Sequence, residues 1–190
     1  MPDIVQTLLV VPGGYRSTTV GRYVAQMDDQ SRRLTDDTRG LEPEPLGQQL
    51  APGMNTIGML LAHIAVAEVH MASVGLEGRE DSDVPSVLGI RIEDDGLPLP
   101  PDGLPPAALR GKELAYFDDL LGRARVNTKR VASQLTDEDL ARRITRQRPD
   151  GSTRVFDVDW MLYHMVEHQA GHYAQINLLK HLYKTTHARV

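Results

Sequence analysis

Three histidines stand one helical turn apart near the C-terminal end, in His164-Met165-Val166-Glu167-His168-Gln169-Ala170-Gly171-His172. On an α-helix, positions i and i+4 project from one face, so His168 and His172 can reach a single ion. Neutral imidazole is the commonest protein ligand for divalent transition metals. The chain has seven histidines and no cysteine, so any metal must be held by nitrogen and oxygen. The lack of cysteine also removes disulfides and a protein thiol nucleophile. If sulfur takes part in the chemistry, a small-molecule thiol must bring it.

A second set of histidines lies a hundred residues earlier. The seam Leu60, His63, Ala67, His70, Val74 alternates three and four residues, as the inward face of a packed helix does. His63 and His70 stand there where Leu or Ile would be expected. Burying an imidazole without a partner is costly, so such a replacement asks for an explanation. Helical bundles build metal sites from inward side chains on facing helices. The C-terminal helix would offer His168 and His172, and the earlier one His63 or His70. Three nitrogen ligands leave room for water or substrate, the catalytic arrangement. The ion would then act as a Lewis acid on a coordinated water or thiol. His181 and His187 are isolated histidines and receive no role.

Glu167 admits another template. His164-Met165-Val166-Glu167-His168 matches the H-x-x-E-H pattern of inverted zinc peptidases, in which Glu is the general base. Those enzymes need a downstream carboxylate ligand, and none of the 22 residues after His168 is Asp or Glu. That argues against a peptidase. No G-x-S-x-G elbow, phosphate-cradling glycine loop or dinucleotide fingerprint is present either.

The elements that must position these residues are four helices. The first is expected over about Tyr15 to Thr38, with Val20, Tyr23, Val24, Met27 and Leu34 at helical spacing. Leu41 to Pro52 holds Pro43, Pro45, Gly47 and Pro52 and reads as a loop. The second helix is expected from an Asn55 cap to about Leu76. The third carries Leu114, Phe117, Leu121, Ala124, Thr128, Val131 and Leu135 in a 3-4-3-4 pattern. Two β-forming runs then flank Pro149-Asp150-Gly151-Ser152, which predicts a small hairpin between Arg142 and Val158. The fourth helix is expected from an Asp157 cap to about Tyr183. The predicted fold class is therefore all-α: an antiparallel four-helix bundle with a β-hairpin before the last helix and a long acidic loop after the second.

That loop, Arg79 to Pro106, carries seven acids against Arg79 and Arg91, an excess equal to the net charge of −5 for the whole chain. Its length and prolines argue against any regular element, leaving a mobile lid or a solvated excursion. No basic stripe exists to follow a phosphate backbone, so nucleic acid is not an expected partner. The apolar and charged fractions, 41% and 25%, are those of a soluble globular protein, and 190 residues suit one domain, 1–190. No apolar run is expected to approach membrane-spanning length. Asp3 ahead of Leu8-Leu9-Val10-Val11, with no basic residue there, argues against a secretory leader and for a cytoplasmic protein.

Asn55-Thr56-Ile57-Gly58-Met59-Leu60-Leu61-Ala62-His63, followed by His164 through His172 and Tyr173-Ala174-Gln175-Ile176, resembles the DinB-like (YfiT-like) metalloenzyme superfamily. The resemblance extends to element order and covers about residues 15 to 183. It implies a four-helix bundle binding a divalent metal, zinc or nickel among them, through His63, His168 and His172. Iron is a further option. His164 would then stand near the metal rather than on it. Characterised branches include metal-dependent thiol transferases and a maleylpyruvate isomerase using a low-molecular-weight thiol, and homodimers are typical.

Two readings follow. In one, the protein is a metal-dependent transferase or isomerase acting on a small electrophilic substrate with a thiol cofactor, or a hydrolase using the same ligands. His164, Glu167 or His70 would relay protons. In the other, the bundle binds metal or a small ligand without catalysis, and His70 or Glu68 closes the coordination shell.

Overall fold

The computed structural model describes residues 7–148 and 150–187. Asp3 and Pro149, on which the leader and hairpin-turn expectations lean, lie outside them. The chain is mostly helical, with an antiparallel hairpin immediately before the last helix. The helices are α1 (Thr18–Thr38), α2 (Pro43–Gly47), α3 (Ile57–Met71), α4 (Val84–Leu88), α5 (Leu114–Ala132), α6 (Asp137–Leu140) and α7 (Val158–His187). Strand β1 (Arg143–Gln147) pairs with β2 (Thr153–Asp157), Arg143 opposite Asp157 and Gln147 opposite Thr153.

Side-chain oxygens decide where the long helices begin, because each satisfies a backbone N–H that the first turn leaves free. Ser17 accepts from the Val20 amide at 3.1 Å, Thr56 from Met59 at 3.1 Å and Asp157 from Trp160 at 2.8 Å. The Asp157 cap is as expected. The cap of α3, however, is Thr56 rather than Asn55, and α1 begins at Thr18 rather than Tyr15.

The end of α3 is unusual. At Ala72 the helix widens into a π turn, Ala72–Leu76, closed by the Glu77 amide on the Ala72 carbonyl at 3.0 Å. A helix end leaves carbonyls without partners and carries partial negative charge. Arginines take two of them: Arg142 Nη2 donates to Leu76 O at 2.6 Å, and Arg146 Nη2 to Val74 O at 2.9 Å. The hairpin is thereby tied to the end of α3.

Each of the four long helices packs against two others: α3 lies on α5 and α7, and α1 lies on the same pair. Gly58 permits the α3–α5 approach, since a Cβ there would stand 2.8 Å from Phe117 Cζ. Apolar burial is split between two clusters. One gathers Leu60, Leu61, Ile64, Phe117, Leu120 and Ile176. The other gathers Val24, Met27, Val131, Val158, Met161 and Leu162. Along α5 and α7, polar residues fall between the stretches that feed the two clusters. Arg125 donates from Nε (2.7 Å) and Nη2 (3.0 Å) to Glu68, from Nη1 to Asp28 (3.1 Å) and from Nη2 to Gln169 (3.0 Å). The Gln169 amide donates in turn to Ser31 Oγ at 2.8 Å. One network therefore joins α1, α3, α5 and α7.

Three expectations need correction. The acidic segment is not devoid of regular structure: it contains α4 and a 3-10 turn, Ile92–Asp95, and it buries Val84, Leu88 and Asp95. Pro85 opens α4, where its missing N–H is no loss. Likewise the Leu41–Pro52 connection contains α2, which begins at Pro43. Finally, Ile57–Leu76 is long and apolar enough to cross a membrane, with 20 residues and a mean hydropathy of 1.6. It is nonetheless 78% buried by the rest of the chain, the setting of a core helix.

Removing one partner of a buried ion pair strands the other charge. Arg125→Met should therefore lower unfolding free energy by about 3–5 kcal/mol in urea titrations. Adding Glu68→Met to it should recover most of the loss. A single substitution costing under about 1 kcal/mol would mean that the network is not buried in solution.

Candidate metal centre

The π turn and the Arg125 network set α3 against α7 so that histidines from both helices meet. His63 Nε2 lies 3.2 Å from His168 Nε2, which lies 3.2 Å from His172 Nε2. The ligating atoms of all three fall within 4.8 Å of one another. Four-coordinate zinc with Zn–N bonds of about 2.0–2.1 Å places its ligand nitrogens about 3.3 Å apart. Two of the three nitrogen pairs are thus spaced like the ligands of a shared ion.

The opposite ring nitrogens explain why the Nε2 atoms face inward. His63 Nδ1 is 2.9 Å from Asp95 Oδ2, and Asp95 is only 2% exposed. A carboxylate can only accept, so the His63 proton sits on Nδ1 and the Nε2 lone pair is free. Asp95 is itself held by the turn that follows: Oδ1 accepts from the Leu97 amide at 3.0 Å, and Gly96 takes a φ of 77°. On His172, Nδ1 faces Gln175 Oε1 at 3.0 Å, which fixes the same tautomer. Two lone pairs therefore converge on His168 Nε2, which has at most one proton to share. Three imidazoles so arranged leave an electron-rich point that a cation would satisfy.

The electrostatics agree. Burial, reinforced by the neighbouring His172, His63 and His164, pushes the His168 imidazole down to about 3. Burial also lowers His172, against the opposing hydrogen bond that its Nδ1 donates to Gln175. Both rings are thus neutral at physiological pH, the form a metal requires.

The other candidate residues divide. His164 stacks on Trp160 with ring centroids 4.6 Å apart, and its ring lies 6.0 Å from that of His168. Its Nδ1 is 3.0 Å from Glu167 Oε1. His70, His164 and His168 line one cavity of about 450 Å³, between α3, α7 and the hairpin. Glu167 does not line it. Hydrogen bonds from Tyr163 and His164 hold the exposed Glu167 carboxyl below the usual range. His70 is solvent-exposed rather than an inward seam residue, and partial desolvation together with the Arg146 charge lowers its imidazole. Neither His70 nor Glu68 joins the cluster. Glu68 is committed to Arg125, and among the described residues no fourth His, Asp or Glu completes the group. His181 and His187 are exposed.

The lowered His168 value has a consequence for the metal-free protein. An imidazole with a folded value near 3 and an ordinary value of 6.5 contributes stability that is present above 6.5 and lost as pH falls toward 3. The melting temperature of chelator-treated protein should fall over that window, and His168→Gln should flatten the slope. A metal-free wild-type protein whose melting temperature stays constant across the window would show that His168 is not desolvated as described.

The segment that carries both histidine-bearing helices also carries a family signature. A family model described as the DinB superfamily matches residues 26–176. Comparison with curated proteins finds no match. Because the matched span covers most of the chain and includes His63, His168 and His172, the protein belongs to the DinB superfamily.

Proposed function

We propose that this protein is a metal-dependent enzyme in which His63, His168 and His172 hold a divalent ion, zinc or nickel in the first instance and iron as a further option. Its four long helices, read as one antiparallel four-helix-bundle domain, supply the scaffold. The observation that carries the reading is the convergence of three Nε2 atoms beside a cavity of about 450 Å³. A bound ion supplies Lewis acidity, which lowers the pKa of a thiol or water brought to it. Since the chain has no cysteine, a thiol would be a low-molecular-weight cofactor, and the reaction class a thiol-dependent transfer or isomerisation of a small electrophile. Hydrolysis is the nearest variant.

The chain's own residues have distinct tasks in this reading. Asp95 and Gln175 hold the tautomers of His63 and His172. His164 and His70, on the cavity wall, exchange protons with the substrate, and Glu167 positions His164 through Nδ1. A non-catalytic metal-binding role is the alternative. It would be favoured by a fourth protein ligand closing the shell, and none is found among the described residues.

Elemental analysis of purified protein beside a His168→Ala/His172→Ala variant tests the reading. Near-stoichiometric metal that disappears in the variant is expected; absence of metal from both after reconstitution would overturn it. Asp95→Ala should keep the fold and weaken metal affinity about 10–100-fold in chelator competition, since it removes the support of His63. An unchanged affinity would show that Asp95 does not orient the ligand.

A further inference from the structure

The wall of the cavity opposite the histidines is built by the hairpin, and it is cationic. Arg146, Arg148 and Arg154 all line it, with Glu80 as the acid on the same lining. Arg146 on β1 stands directly opposite Arg154 on β2. Like charges at opposed positions of an antiparallel pair destabilise it, so this pairing works against the hairpin unless an anion relieves it. No carboxylate forms an ion pair with any of the three arginines among the described residues. Arg146 donates from Nη2 to the carbonyls of Val74 and Arg79, yet its Nε is buried without a partner. Among the described residues Arg146 thus keeps its charge without a carboxylate partner on the wall of a ligand-sized cavity. Arg154 lies over two aromatic rings, 4.5 Å from the Trp160 centroid and 5.8 Å from that of Phe156. That stacking holds a guanidinium in place without neutralising it.

Apart from Gln147, the rest of the lining is apolar. Met71, Met161 and Phe156 cover the floor and one side.

We propose that this cavity binds a small organic oxyanion, its charged head on Arg146, Arg148 and Arg154 and its apolar body against Met71, Met161 and Phe156. The arginine fork suits carboxylate and phosphate heads alike. The proposal names a substrate class for the metal-dependent reading and rests on it only for where the reaction occurs, because none of the three arginines belongs to the histidine cluster.

The test uses three probes and calorimetric titration: 3-phenylpropanoate, phenyl phosphate and the neutral 3-phenylpropanamide. Each is titrated into protein of measured metal content and into the same protein after chelation. Either anion should bind at least about tenfold more tightly than the amide, and which of them binds better identifies the head group. Arg148→Gln and Arg154→Gln should each weaken the anion about tenfold and leave the amide unaffected, with melting temperatures not lowered. Arg146→Gln is judged only alongside its melting temperature, since Arg146 also holds carbonyls at the end of α3. Equal affinity for anion and amide, insensitivity to both of the first two variants, or no binding of any probe at millimolar concentration would overturn the proposal. A preference that disappears on chelation and returns with metal would also overturn it, because the anion would then be sitting on the ion rather than on the arginines. A preference that survives chelation supports the subsite even if elemental analysis finds no metal, so failure of the two readings is distinguishable.

Discussion

Arg125 is buried among side chains from four helices, and each of its hydrogen bonds constrains how those helices can slide along one another. Apolar surfaces tolerate small shifts in register, because one methyl group replaces another at little cost. A guanidinium does not, since a shift of one turn would leave a desolvated charge facing hydrocarbon. The geometry of the histidine cluster inherits this intolerance. Gln169, which accepts from Arg125, is the neighbour of His168 on α7, while Glu68 lies on the same helix as His63. The distances between imidazoles from two separate helices are therefore set by a contact that contains no imidazole.

A second constraint comes from outside the long helices. The acidic segment after α3 appears at first as a solvated excursion, yet it returns one carboxylate to the interior and sets it on His63. Burying Asp95 is affordable because both its oxygens have partners, the ring nitrogen of His63 and the amide of Leu97. The same segment seats Val84 and Leu88 in the core before the turn and packs Leu97 and Leu99 against it afterwards, so its path is anchored on both sides.

Much of this was legible in the chain, for physical reasons that differ between residues. The helical period exposes a stripe on each long helix, and histidines placed in that stripe are conspicuous because a core position prefers hydrocarbon. Hence His63, His168 and His172 stood out, as did the hairpin, whose turn residues lie between two β-branched runs. His70 shares the stripe of His63 but is exposed, because the neighbouring space is the cavity rather than core; periodicity reports a helical face and not what that face meets. Asp95 and Arg125 were opaque for another reason. A carboxylate in an acidic run, or an arginine in an amphipathic helix, has the same local pattern whether it meets water or a partner far along the chain. Pairing across 57 residues from Glu68 to Arg125 leaves no periodic trace. The π turn at Ala72 was equally invisible, since its apolar residues read as ordinary helix.

The hairpin is joined to the rest of the molecule at the end of α3 and at the start of α7, and it contributes no histidine to the cluster. Its turn, 148–152, is exposed where described. Loops of this kind accept changes of length and composition at small thermodynamic cost. The architecture thus separates two kinds of heritable variation. Substitutions on α3 and α7 act on the histidine cluster and are coupled to the stability of the whole fold, whereas substitutions at exposed hairpin positions such as Arg148 change the facing wall with far less effect on the core. A lineage built on this plan can vary the wall of the cavity while the histidine cluster stays as it was.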